Sequence, residues 1–222
     1  MSLIPYTAGG GQASAALLTF ASDGNTDYIS AGTHTYSSQG IGVASSDRVV
    51  LVSIYSLSLH DVQSITCGGV SMTKIRAANY DTYGKSSIWG VAYPTGTTAD
   101  IVVTYSSSSG VYFNAIGVYA LTGTASDFTK FDFGSDTASS TMSTTLDIPA
   151  NGAVLVTGGA DGGSAFSADA GFTEDWEEIT TVSPGVAGGG SASHLAAETA
   201  RTITATTNDT THQALLAVSF GP

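Results

Sequence analysis

The sequence predicts an all-β fold: antiparallel sheets packed as a sandwich, with two pseudo-repeated halves forming one body. Three observations carry this. No long stretch shows the 3.6-residue apolar period with good helix formers; "SHLAAETARTI" comes nearest, and its Thr and Ile residues work against it. Short β-branched and aromatic runs bounded by Gly, Pro, Asn and Ser recur along the chain. Charged residues are 11% of the chain, and Gly, Ser and Thr fill the polar positions instead, which suits short strands and many turns.

In chain order, residues 1–15 stand apart. "LIPY" is an apolar tetrapeptide tied to the body by the Gly-rich spacer "TAGGGQ", and such spacers are flexible. Leu3, Ile4 and Tyr6 are therefore the expected partner-binding tip of an arm, a frayed end being the alternative. "DGNTD" places Asp23, Asn25 and Asp27 in the spacing of a calcium loop. The position that should be Gly is Tyr28, and the one that should be Glu is His34, so an Asx-rich turn is expected and a weak calcium site is the alternative.

"RVVLVSIYSLSL" (48–59) is apolar on both faces at its start, the mark of a central strand. "SITCGGVSMTKI" (64–75) reads as a hairpin, with Gly68 and Gly69 supplying the positive φ of a tight turn and Cys67 as a buried small hydrophobe. Strands follow at 86–93, ending at Pro94 and the turn "PTGT", at 99–107 and at 111–123. The later strands are 141–148, then "PANG", then 153–159, 172–179, 201–207 and 212–220.

The two lists run in the same order. "SSDRVVLVSIY" matches "PANGAVLVTGG", "SSIWGVAY" matches "SASHLAAET", "DIVVTYSS" matches "TITATTND", and "NAIGVYAL" matches "QALLAVSF". The offsets are 104 from Val50 to Val154, 106 from Ser87 to Ser193, 102 from Ile101 to Ile203 and 99 from Asn114 to Gln213. The body at 16–222 thus reads as halves of about 16–123 and 124–222, expected to pack together because each alone is small.

Composition also excludes functions. A formal charge of −12, with only six scattered Lys and Arg, leaves no phosphate footprint for nucleic acid, and an anionic membrane would repel it. No apolar run approaches the roughly 20 residues of a membrane helix. "MSLIPYTAGGGQAS" has neither a basic n-region nor an apolar core, so no signal peptide is expected and folding in a cytosol is. Cys67 is the single cysteine, with no CxxC and no neighbouring His, so neither a disulfide, a zinc site nor a redox motif is expected. There is no G-x-S-x-G elbow, and His34, His60, His194 and His212 are widely spaced. "EDWEE" (174–178) reads as a solvated strand face rather than a glycosidase pair, which needs two carboxyls across a cleft. No catalytic residue, metal or cofactor is therefore expected. Tyr80, Tyr83 and Trp176 are the candidate ligand-binding aromatics, the first two because "NYDTYG" is a polar, turn-rich loop.

Val62, Ser64, Ile65, Thr66, Gly68, Gly69 and Met72, followed by Trp89, Pro94, Gly96, Thr97, Ile101, Val103 and Thr104, follow a recurrent pattern. This run, within residues 40–222, resembles a β-sandwich module of phage structural proteins and bacterial surface proteins. The resemblance implies a jelly-roll-like antiparallel β-sandwich without catalytic residues. The absence of a signal peptide and flanking repeats points to the phage version: a capsid decoration, head-fibre or tail-associated protein. Such a protein is made in the host cytoplasm, resides in the virion, and is expected to be homo-oligomeric and to bind other virion proteins. A carbohydrate- or receptor-binding module is the alternative.

Overall fold

The structure, a computed structural model, describes residues 15–29, 32–80, 83–107, 111–124, 130–136, 140–163, 165–180, 185–208 and 211–222. The arm carrying Leu3, Ile4 and Tyr6 lies outside the described residues. No helix is present among the described residues, and every strand pairing is antiparallel.

The first half builds two sheets. The inner one runs β1 (Leu17–Ile29), β9 (Val111–Thr122), β3 (Val49–Ser58), β7 (Gly84–Ala92), β6 (Thr73–Tyr80); the outer one runs β2 (Thr33–Gly40), β8 (Thr98–Tyr105), β4 (Val62–Cys67), β5 (Val70–Ser71). The second half has an inner sheet β10 (Lys130–Asp136), β17 (Thr211–Phe220), β12 (Gly152–Asp161), β15 (Gly185–Leu195), β14 (Thr173–Thr180). Its outer sheet is β11 (Thr141–Ile148), β16 (Glu198–Thr207), β13 (Phe166–Ala168). The second order matches the first place for place, except that the short β5 has no described counterpart.

The alternation of side chains explains the layers. Along β3, Val49, Leu51, Tyr55 and Leu57 point to one side, and Val50, Val52 and Ile54 to the other. The second set joins Ile65, Cys67, Trp89, Ile101 and Val103 in a core between inner and outer sheets. The first set meets Leu155, Ala187, Leu216, Val218 and Phe220 from the other half. Met142, Leu146, Val154, Val156, Phe166 and Ile203 fill a third core between the second half's own sheets. The molecule is thus four β layers with three apolar seams. A strand buried on both faces reads as a near-continuous apolar run, and β3 does so, broken only by the buried Ser53, Ser56 and Ser58.

The two inner sheets pack in a quasi-symmetric way. β3 lies against its counterpart β12, while β1 covers β14 and β15, and β6 covers β17 and β10. Each outer edge meets the opposite edge of the other half, as a twofold axis between them would place it.

The hairpin at 64–75 is present: Thr66 pairs with Ser71 and Cys67 with Val70, around Gly68 (φ 54°) and Gly69 (φ 81°). Both signs fit a type I′ turn. Arg48 is 1% exposed, and its guanidinium donates to the carbonyls of Tyr93, Gly42, Gly96 and Thr95. One buried cation thereby pins the "PTGT" turn to the loop before β3.

Two expectations need correcting. "DGNTD" is not a turn but the middle of β1, paired with β9 from Asp23↔Gly117 to Asp27↔Phe113. The second of the matched segments, "SSIWGVAY" with "SASHLAAET", is also displaced. Val50 pairs with Val91, and Val154 pairs with Ala192, so the offset between β7 and β15 is 101, not 106. Matching serines misled because β15 carries "GGG", where the first half has bulky residues.

Candidate functional site

A cleft of about 320 Å³ opens at one end of the seam between the inner sheets, lined by Leu57, Tyr83, Tyr112, Asp161 and His212. Strand geometry brings them together. Leu57 lies next to the end of β3, opposite Gly84 and Phe113, so Tyr83 before β7 and the start of β9 reach the same rim. Asp161 ends β12 and pairs with Thr211 at the start of β17, and His212 is the next residue of that strand.

Tyr83 and Tyr112 stand with ring centroids 6.2 Å apart, and Tyr83 lies 4.9 Å from the His212 ring. His212 Nε2 is 3.9 Å from Asp161 Oδ2. The His212 backbone is held at φ +50°, uncommon for a residue with a side chain, and its carbonyl accepts a 2.7 Å hydrogen bond from the buried Tyr55 hydroxyl. Tyr55 fits there because residue 159 is glycine; a Cβ on Gly159 would come within 2.6 Å of its ring. One wall of the cleft is therefore aromatic and the other offers a carboxylate and an imidazole.

The other candidate positions are dispersed. Tyr83 is in this cleft. Tyr80 ends β6, and its side chain lies outside the described residues. Trp176 is not on an exposed platform: it is 3% exposed in the core between the halves. A bulge between Glu174 and Trp176 turns the indole inward, where its Nε1 donates to the Tyr119 hydroxyl at 3.1 Å. Gly117 and Gly189 make the space, since a Cβ on either would meet Trp176 Nε1 at 2.1 and 2.4 Å.

Asp23, Asn25 and Asp27 share one face of β1, beside β14. Asn25 donates to Glu178, and Thr180 donates to Asp27. These contacts tie the two halves along an edge rather than form a loop around an ion. The described residues contain no group of three or more His, Cys, Asp or Glu side chains arranged to hold a metal. Burial pushes the Asp175 and Glu178 carboxyls above their ordinary range, with the like charge of Asp23 adding to Glu178. Cys67 is buried, and burial pushes its thiol up to about 11.

A smaller cleft of about 60 Å³ lies at the edge of the first sandwich, lined among others by Asp61, Lys74, Lys85 and Ser87. Lys85 pairs with Asp61 at 2.9 Å, and Lys74 donates to the Val62 carbonyl at 2.9 Å. It has room for only a few waters.

Sequence reasoning missed Tyr112, Asp161 and His212 as partners of Tyr83, because they come from four separate segments. The one available signal was the repeat, which sets Asp161 opposite Leu57. Comparison with protein-family models, with curated proteins and with solved structures finds no match to this chain.

Proposed function

We propose that the protein is a non-enzymatic structural component of a phage virion, a capsid decoration or head-fibre/tail-associated protein. Its body is proposed to be two jelly-roll-like sandwiches set back to back. The observation that carries this is the strand order. In the first half the chain alternates between sheets so that β1-β9-β3-β7 faces β2-β8-β4-β5, and the second half repeats this order. Interleaving of early and late strands in two facing sheets is the hallmark of jelly rolls, which are common in viral shells and lectins. The resemblance carried by the Gly68–Gly69 hairpin and by Trp89, Pro94 and Gly96 supports the same reading. In this reading the arm bearing Leu3, Ile4 and Tyr6 attaches the body to a neighbour, and many weak attachments add up on a symmetric shell.

Mass spectrometry of purified virions from the source tests the assignment, and the chain is expected among the stoichiometric components. A pelleting assay with capsids or tails tests the arm: protein lacking residues 1–11 should melt normally but no longer co-pellet. Absence from virions overturns the assignment.

A second reading, a carbohydrate- or receptor-binding module, is favoured by the aromatic cleft. Glycan-array binding separates it from a purely architectural role.

A further inference from the structure

We infer that the cleft between the halves is a saccharide site, in which the rings of Tyr83 and Tyr112 take the apolar C–H face of one pyranose and Asp161 and His212 take its hydroxyls. The inference rests on the carbohydrate-binding reading and names its site and ligand chemistry.

The chemistry of the lining matches a sugar ring on both of its sides. A pyranose is amphipathic: one face presents C–H groups and the rim presents hydroxyls. Tyr112 is 38% exposed and sits 6.2 Å from Tyr83, so the two rings form a partly open apolar wall. At about 320 Å³ the cleft falls at the lower end of the range for small-molecule sites. Asp161 Oδ2 accepts from hydroxyls, and His212 can donate or accept. Their 3.9 Å separation lets both reach adjacent hydroxyls of one ring. A cleft for an anion would not place a carboxylate on its polar wall.

The site also breaks the internal pattern in a directed way. Leu57 and Asp161 occupy corresponding positions, since Leu57 pairs with Gly84 and Asp161 with Gly185, the same relation that holds for Val50 and Val154. Here one half supplies the apolar wall and the other a carboxylate, at the place where the quasi-twofold axis leaves the protein. His212 has a φ of +50°, and its carbonyl accepts a hydrogen bond from the buried Tyr55 hydroxyl, which ties the backbone beside the imidazole to the core.

The test uses the full chain and a panel of simple ligands: methyl α-mannoside, methyl β-galactoside, methyl β-glucoside and N-acetylglucosamine. Saturation-transfer NMR detects binding, and titration gives Kd. At least one sugar is expected to bind, and Tyr112→Ala and Asp161→Asn are each expected to weaken it about tenfold or more. Melting temperatures verify that the variants fold; if Asp161→Asn melts early, the exposed Tyr112→Ala decides alone. If no sugar binds the wild type, the cleft assignment and the carbohydrate reading fall together. If a sugar binds the wild type and Tyr112→Ala equally, the cleft assignment falls while the carbohydrate reading stands, with its site elsewhere.

Discussion

Trp176 offers the sharpest test of how the halves are joined. Its indole lies in the seam with Gly117 of one inner sheet and Gly189 of the other against it. Replacing it by Ala removes a buried indole and its hydrogen bond to Tyr119, and large-to-small changes of this kind cost about 3–5 kcal/mol. At about 2–4 °C per kcal/mol for a chain this size, melting should fall by roughly 10 °C. Gly117→Ala sharpens the argument. Its new Cβ would sit 2.1 Å from Nε1 and 2.7 Å from Cε2, and Gly189 prevents the indole from backing away. Overpacking of this kind costs about 1–3 kcal/mol. In a Trp176→Ala background the same Cβ enters vacated space, and replacing a mid-strand glycine should gain about 0.5–1 kcal/mol. The sign of Gly117→Ala therefore reverses between backgrounds, and a double-mutant cycle by urea denaturation should give a coupling of about 1.5–4 kcal/mol. Additivity within about 0.5 kcal/mol would refute the placement of the indole in this seam.

Three further outcomes follow from the same structure. Cys67, with its thiol pushed up to about 11 by burial, should resist thiol reagents in the native state and react on denaturation; fast native labelling would contradict the hairpin packing. Gly69→Val should destabilise by about 1–2 kcal/mol through its φ of 81° alone, because no atom lies within 4 Å of the added Cβ. Burial raises the carboxyls of Glu174, Asp175 and Glu178, so their ionised forms penalise the fold. That penalty is present at neutral pH and relieved as pH falls through the raised range, so melting temperature should rise on mild acidification. Asp175→Asn should flatten the rise, and an unchanged slope would remove Asp175 from that account.

The central strands were legible because burial on both faces leaves no freedom in the code: Val49 to Ile54 must be apolar at nearly every position. The Gly68–Gly69 turn was legible because few residues tolerate two consecutive positive φ angles. β1 was not, since "SDGNTD" lacks the alternation of a half-buried strand. Its polar face meets polar partners on β14, and pairing with β9 holds it extended. β15 was hidden for the opposite reason. "GGG" reads as a turn, yet a Cβ on Gly188 would strike the Phe166 ring at 2.3 Å and one on Gly189 the Trp176 indole at 2.4 Å. Those glycines are thin places in a central strand, with an aromatic ring lying over each face. Trp176 misled because four carboxylates surround it in "EDWEE", and a local reading cannot foresee the bulge that turns it inward.

The cleft was illegible for a deeper reason: it is made by the relation between halves, not within either. Tyr83 and Tyr112 belong to one sandwich, Asp161 and His212 to the other, and no spacing links them. What the sequence did contain was the alignment of the repeat, in which Val50 answers to Val154 and Leu57 to Asp161. Along this alignment the seam is not a copy of itself: Leu51 answers to Leu155, but Tyr55 answers to Gly159, and its ring fills the space that glycine leaves. The exchange of Leu for Asp comes near the end of the strands, at the cleft that both residues line. A leucine there would bury more apolar area than the carboxylate does, while the carboxylate lies 3.9 Å from His212 Nε2. If the carboxylate serves a ligand with both an apolar face and hydroxyls, and not its His212 neighbour, the junction does not need it. On this argument Asp161→Leu should raise the melting temperature while abolishing sugar binding. A variant that loses stability instead would show that the carboxylate serves the fold, through His212, rather than a ligand.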